Sequence, residues 1–183
     1  LKDKVCIITG AARGIGEATA ILFARQGGKV VVADMRQEEG EDVVRRIRAE
    51  GNEAIFAGVD VKDESQVIAM VEKTVSAYGT VNVLVNNAGT FAINRLHDTT
   101  NEQWDHVMNT DLRGYFWCSK YAIPHMLKAG GGSIIMTSSV DGLVAEPDLP
   151  VYCAAKAGIM GLVRAMALDY GRRYKADLVM GTD

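Results

Sequence analysis

Short apolar runs alternate with helix-period segments along almost the whole chain, and this alternation restricts the fold more than any other feature. KVCIIT at 4–9 is rich in β-branched side chains and ends at Gly10. From Gly14 onward, Ile15, Ala18, Ile21, Leu22 and Ala24 recur at helical spacing until Gly27 and Gly28 stop them. KVVVAD at 29–34 repeats the strand pattern, 37–50 reads as an amphipathic helix, and EAIFAGV at 53–59 is a third strand. A helix over 63–78, a strand over 81–85, a long helix over about 101–128, a strand over 133–138 and a helix over 151–171 continue the series. Pro124 is where the long helix is expected to break.

Strands that are apolar throughout must be covered on both faces, which calls for a parallel sheet between two helix layers. With right-handed crossovers the expected class is α/β: a doubly wound, Rossmann-like parallel sheet with helices on both faces. A chain of 183 residues fits one domain with a sizeable core. After Gly171 the pattern weakens, and LVM at 178–180 ends the sequence where a sheet of this kind normally gains more strands. Residues 1–183 are therefore expected to form one domain, short of further strands at its C-terminal end. The chain starts at Leu1, not Met, so a few initial residues are expected to precede it.

The net charge of −3 offers no polybasic face, which argues against nucleic acid or an anionic membrane as main partner. No apolar run is expected to be long enough to cross a bilayer, and no signal-peptide pattern opens the chain. Cys6, Cys118 and Cys153 lack metal-ligand or Cys-x-x-Cys spacing, which fits a reducing, cytoplasmic setting. His97, His106 and His125 show no metal pairing and read as polar helix or loop residues.

The first strand–helix turn carries Thr9-Gly10-Ala11-Ala12-Arg13-Gly14-Ile15-Gly16. Gly10 permits a sharp turn, small residues let backbone approach a pyrophosphate, and the helix start offers unpaired N–H groups to that anion. Asp34 ends the second strand, where a carboxylate accepts hydrogen bonds from ribose hydroxyls and repels a 2′-phosphate. That favours NAD over NADP. Arg13 and Arg36 pull the other way, because guanidinium groups bind phosphate well.

These residues, with Asp60-Val61, Asn86-Asn87-Ala88-Gly89, Ser139 and Tyr152-x-x-x-Lys156, resemble the short-chain dehydrogenase/reductase family in order and spacing from residue 4 to about 171. The resemblance implies an NAD(P)-dependent oxidoreductase. The implied cofactor contacts are Gly10, Arg13, Gly14, Ile15, Gly16, Asp34, Met35, Asp60, Val61, Asn87, Ala88, Gly89, Tyr152 and Lys156. Asp60 and Val61 would flank the adenine, and Asn86 would steady the sheet.

On a helix, Tyr152 and Lys156 share one face about 6 Å apart along the axis. A free tyrosine has a pKa near 10 and is a poor base at neutral pH. An ammonium about 4 Å away contributes on the order of 4 kcal/mol at an effective dielectric near 20, about three pKa units. Tyr152 is then a plausible general base for alcohol oxidation and, in reverse, the proton donor to a ketone. Ser139, just past the fifth strand, is placed to hold the reacting oxygen; the resemblance selects it over Ser138 by its spacing to Tyr152.

Where the family commonly has asparagine, this chain has Asp111. The family's asparagine is associated with a water-linked proton path to the lysine. Asp111 keeps the main-chain carbonyl and adds a carboxylate, which either pairs with a cation and preserves the path or stabilises Lys156 and weakens tyrosine activation. Three functional readings follow: an NAD(H)-dependent dehydrogenase of a secondary alcohol, an NADPH-dependent ketone or 3-oxoacyl reductase, and a nucleotide-binding scaffold that lost turnover. The substrate would be a small alcohol or ketone. Small residues at Ala154, Ala155, Ala157, Gly158 and Gly161 permit close helix packing, internally or between subunits, and the resemblance favours a homotetramer or homodimer.

Overall fold

The computed structural model describes residues 1–171 and the backbone of 177–181. Six strands, β1 (Val5–Thr9), β2 (Lys29–Asp34), β3 (Ala54–Gly58), β4 (Val83–Asn86), β5 (Ser133–Thr137) and β6 (Asp177–Gly181), form one sheet in the order β3-β2-β1-β4-β5-β6. All five pairings are parallel. The helices are α1 (Gly14–Arg25), α2 (Gln37–Ala49), α3 (Glu64–Tyr78), α4 (Asn101–Met108), α5 (Gly114–Lys128) and α6 (Pro150–Met166). The chain winds outward from β1 to β3, then crosses back to lay β4 on the other side of β1. That reversal opens a crevice at the carboxyl ends of β1 and β4.

Strand alternation divides the core. Ile7 and Val31 face one apolar layer with Met70, Tyr115, Cys118 and Ile159. Cys6, Ile8, Val30 and Val32 face the other, with Ala20, Ala24, Val43, Val44 and Ile47. Both sides of β1, β2 and β4 are therefore almost wholly dry, which is why these strands read as unbroken apolar runs. Burial pushes the Cys6 and Cys118 thiols up to about 12, leaving both inert as nucleophiles at neutral pH.

Three expectations are corrected. The long helix does not break at Pro124, which lies inside α5. The irregularity falls instead at Asn109–Arg113, a π turn between α4 and α5. Such a turn inserts an extra residue into the helix and redirects its side chains, often at functional sites. Second, the weakly patterned tail supplies a strand, with β6 pairing Ile134↔Leu178 and Ile135↔Val179. Third, 150–171 is long and apolar enough to cross a membrane by length and composition, with a mean hydropathy of 1.4. Its apolar content has another use here: Val151, Ala155, Ile159, Met160, Val163 and Met166 are buried in the fold.

Candidate active site

A cleft of about 470 Å³ lies at the carboxyl ends of β1, β2 and β4, within the size range of small-molecule and cofactor pockets. Its walls include Gly10, Arg13, Gly14, Ile15, Asp34, Met35, Asp60, Val61, Asn87, Ala88 and Gly89, so most of the expected cofactor contacts converge on it. Gly16 is not among the lining residues. It packs the start of α1 onto the turn, where a Cβ would overlap the Gly10 carbonyl oxygen. Gly10 has φ +64°, and a Cβ there would stand 2.8 Å from the Ala88 Cα.

The turn is tied to β4 by two side chains. Asn87 Nδ2 donates to the carbonyls of Thr9 (3.0 Å) and Gly10 (3.2 Å), while Thr9 Oγ1 accepts from the N–H groups of Asn87 and Ala88. Asn86 is fully buried and reaches Ser119 of α5 at 3.2 Å, holding the sheet to that helix. The start of α1 has no side-chain cap, since Arg13 occupies that position with extended backbone. Its first N–H groups therefore suit a bound anion, and the site fits the pyrophosphate of a dinucleotide.

Asp34 is nearly buried, and each carboxylate oxygen accepts a backbone hydrogen bond at 3.0 Å, from the N–H of Ala12 and of Arg36. An ionised carboxylate has about four acceptor sites, so two remain for hydroxyl donors. Arg36 joins Arg13 on the cleft wall. Lys62, Thr90, His106 and Thr110 also line it and were not recognised as a group from sequence. Thr90 Oγ1 lies 3.4 Å from His106 Nε2, and Lys62 Nζ lies 3.5 Å from His106 Nδ1. His106 is thus a wall residue, not an incidental helix side chain; its four-residue spacing to Thr110 was the available signal.

Beyond the Gly89 end of the cleft stands the chemical group. Lys156 is buried on α6, and its ammonium donates to the Thr137 carbonyl at 3.0 Å. It lies 5.3 Å from the Tyr152 ring centroid and 5.6 Å from that of Tyr115. Phe91 meets Tyr152 edge to face at 6.5 Å. Tyr152 and Lys156, expected also to touch cofactor, are not among the residues lining the cleft. A Cβ on Gly89 would come within 3.7 Å of Lys156 Nζ, so the absent side chain opens the cleft toward the lysine.

The two adjacent serines have different duties. Ser138 is fully buried and donates to the Lys156 carbonyl at 2.9 Å, fastening the end of β5 to α6. Ser139 heads a short 3₁₀ turn, Val140–Gly142, where its Oγ accepts from the Asp141 N–H at 3.2 Å and lies 3.3 Å from Asp141 Oδ2. The carboxylate contact is long and easily exchanged for a substrate oxygen.

Asp111 sits in the π turn with a fully buried side chain. Oδ1 accepts the Thr90 N–H at 2.8 Å, and Oδ2 stands 3.2 Å from Lys156 Nζ, an ion pair whose angles fall short of a hydrogen bond. Burial pushes its carboxyl up to about 6 despite the pull of Lys156. Its side chain thus links the loop after β4 to Lys156 on α6.

The family model for short chain dehydrogenases matches residues 4–175. The uncharacterized oxidoreductase YxbG of Bacillus subtilis is 44% identical over 173 residues, which cover 94% of this chain and 63% of that protein. Trans-4-hydroxycyclohexanecarboxylate dehydrogenase of Sinomonas cyclohexanicum is 41% identical, over 92% of this chain and 67% of the relative. The chain thus spans about two thirds of the length of these curated relatives. A Burkholderia phymatum short-chain dehydrogenase/reductase in complex with NAD superposes with TM-score 0.96 at 30% identity, covering 99% of this chain and 65% of that one. A metagenomic short-chain oxidoreductase in complex with NADP gives 0.95 at 31%, covering 100% and 82%. With a family model spanning nearly its whole length and a matching fold, the chain belongs to the short-chain dehydrogenase/reductase family.

Proposed function

We propose that this protein is an NAD(H)-dependent oxidoreductase interconverting a secondary alcohol and a ketone, with Tyr152 as general acid/base. The observation that carries the reading is the buried Lys156 ammonium, 5.3 Å from the Tyr152 ring, at the end of a cleft headed by a glycine turn. A bound nicotinamide supplies the acceptor or donor of hydride. The chain's own residues manage the proton. In oxidation Tyr152 takes the hydroxyl proton while Ser139 holds the reacting oxygen; in reduction Tyr152 returns a proton to it. Lys156, anchored on the Thr137 carbonyl, stands beside that transfer.

Asp34, on the cleft wall at the carboxyl end of β2, supports NAD, because a carboxylate there would repel a 2′-phosphate. Arg13 and Arg36 on the same wall favour a second reading, an NADPH-dependent ketone or 3-oxoacyl reductase. Phe91, Ile93, Leu143 and Val144 are largely exposed on the loops after β4 and β5 and suit a compact apolar substrate. A homodimer or homotetramer is supported by a groove of about 520 Å³ between the π turn and α6, lined by Leu112, Phe116, Gly158, Gly161 and Leu162. Gly158 already meets Leu112 within the chain, so part of the small-residue stripe serves internal packing.

The test is NADH formation on a panel of secondary alcohols, comparing wild type with Tyr152→Phe. Phenylalanine keeps the ring that Phe91 and Lys156 touch. The variant is expected to bind NADH as wild type does and to lose at least about a hundredfold in kcat. Equal turnover by both proteins would remove Tyr152 from the chemistry. NADH binding by wild type without turnover of any alcohol or ketone would favour the scaffold reading.

A further inference from the structure

We propose that Asp111 sets the charge that Tyr152 experiences: its carboxylate, clamped between the Thr90 N–H and the Lys156 ammonium, masks the lysine and weakens its hold on the tyrosinate. The role in turnover rests on the oxidoreductase reading above, but the masking itself does not.

Three observations carry it. The clamp is two-sided, at 2.8 Å to Thr90 and 3.2 Å to Lys156, so the carboxylate cannot drift from the ammonium without breaking a buried hydrogen bond. The ammonium lies 5.6 Å from the Tyr115 ring centroid and 5.3 Å from that of Tyr152, and it donates to the Thr137 carbonyl. Both partners are dry, with side-chain exposures of 4% for Lys156 and 0% for Asp111, so solvent screens little of the effect.

Charged and titratable groups approach the pair from several elements. From α6 come Lys156 and Tyr152, and from α5 comes Tyr115. His106 on α4 acts one step away through Thr90, with Lys62 beyond it. Arg113, in the same π turn, lies over Trp117 instead. Among the described residues, Lys156 is the cation paired with Asp111.

Ionised Asp111 makes the pair close to neutral as seen from Tyr152. A protonated or amide side chain at this position leaves the full ammonium charge facing the ring. The carboxyl is held up to about 6 by burial, which places this change in a mildly acidic range. No bond is made or broken by Asp111 beyond gain or loss of its own proton.

The experiment is an ultraviolet titration of tyrosinate in the whole chain without cofactor, for wild type and Asp111→Asn. Tyr152→Phe in each background isolates the Tyr152 signal. Asp111→Asn is expected to lower the Tyr152 midpoint by roughly one pH unit, as a unit charge about 10 Å away does at an effective dielectric near 20. In proteins that turn over, the limb of kcat/KM assigned to Tyr152 should move by the same amount. A purely structural ion pair would change stability and leave the midpoint where it was, and an unmoved or raised midpoint overturns the proposal. Should Asp111→Asn not fold, ¹³C-tyrosine NMR of wild type decides. The Tyr152 Cζ resonance must shift as Asp111 titrates, and a flat resonance across that range overturns the masking. Because neither readout needs hydride transfer, a failed activity screen and a failed masking hypothesis are distinguishable.

Discussion

Replacing Asp34 separates two loads that one carboxylate carries. Its oxygens hold the N–H groups of Ala12 and Arg36, each at 3.0 Å, and so fix the glycine turn against the end of β2. The same carboxylate forms part of the cleft wall. In Asp34→Ala both donors lose their partner. Ala12 is buried and its N–H has no route to water, which costs about 1–3 kcal/mol; Arg36 is only half-buried and recovers part of its loss. A total near 2–4 kcal/mol is a large share of a typical domain's stability and corresponds to a fall in Tm of roughly 5–15 °C. Asp34→Asn keeps one oxygen acceptor but turns an NH₂ toward the other donor, so about 1–2 kcal/mol is expected.

The cofactor effect has a different signature. Hydrogen bonds to a charged acceptor contribute about 1.5–3 kcal/mol, so loss of one ribose contact weakens NADH by at least about tenfold. Loss of the negative charge at the same time relieves repulsion of a 2′-phosphate, so NADPH should gain. Thermal melts come first, to choose a temperature at which wild type and both variants are folded. Fluorescence titrations with NADH and NADPH then follow for all three. The ratio of NADH to NADPH affinity is expected to fall in both variants, while stability falls more in Asp34→Ala. If folded Asp34→Asn retained the wild-type ratio of affinities, Asp34 would not be the discriminator, and Arg13 with Arg36 would have to account for cofactor choice.

Three further outcomes follow from particular contacts. Asp111 has its carboxyl raised from 3.8 to about 6, so the native state holds its proton over a range where the unfolded chain has released it. That contribution to stability is full below about pH 4 and is lost as pH rises through 6, a change of roughly 3 kcal/mol. The stability of Asp111→Asn relative to wild type should therefore rise with pH across that window in denaturant melts; a constant difference would refute the assignment. Ser138→Ala is expected to lower stability by about 1–2 kcal/mol through loss of the buried bond to the Lys156 carbonyl, whereas Ser139→Ala, which loses only the longer bonds with Asp141, should cost about 0.5–1 kcal/mol and lose about a hundredfold in kcat/KM. Gly10→Ala puts a Cβ 2.8 Å from the Ala88 Cα in left-handed backbone, at about 1–3 kcal/mol of strain, and should impair NADH binding even where the protein remains folded.

What could be read from the sequence was local. Strand–helix alternation follows from which faces are dry, and a chain with Val30, Val31 and Val32 all buried announces a sheet covered on both sides. The glycine turn and the four-residue spacing of Tyr152 and Lys156 are likewise complete within a few residues. The π turn was not legible, because NTDLR carries no breaker and its geometry answers to distant packing: Gly114, which follows it, leaves no room for a Cβ beside Val61. Pro124 misled for the converse reason, since a helix packed into the core through Cys118, Ala122 and Met126 tolerates one missing donor.

Electrostatics was the least legible part, and Asp111 shows why. Its residue type and spacing identify a departure from the family, yet leave open whether the carboxylate helps or opposes the lysine. The answer depends on contacts with Thr90, 21 positions earlier, and Lys156, 45 positions later. These bring the carboxylate to 3.2 Å from the ammonium, which lies 5.3 Å from the Tyr152 ring centroid. An ion pair between Lys156 and Asp111 spends on its own neutrality part of the field that a lone lysine would direct at Tyr152. If the proposed masking holds, the three pKa units reckoned for an isolated tyrosine–lysine pair are an upper value for this chain, and the Asp111→Asn titration measures the difference.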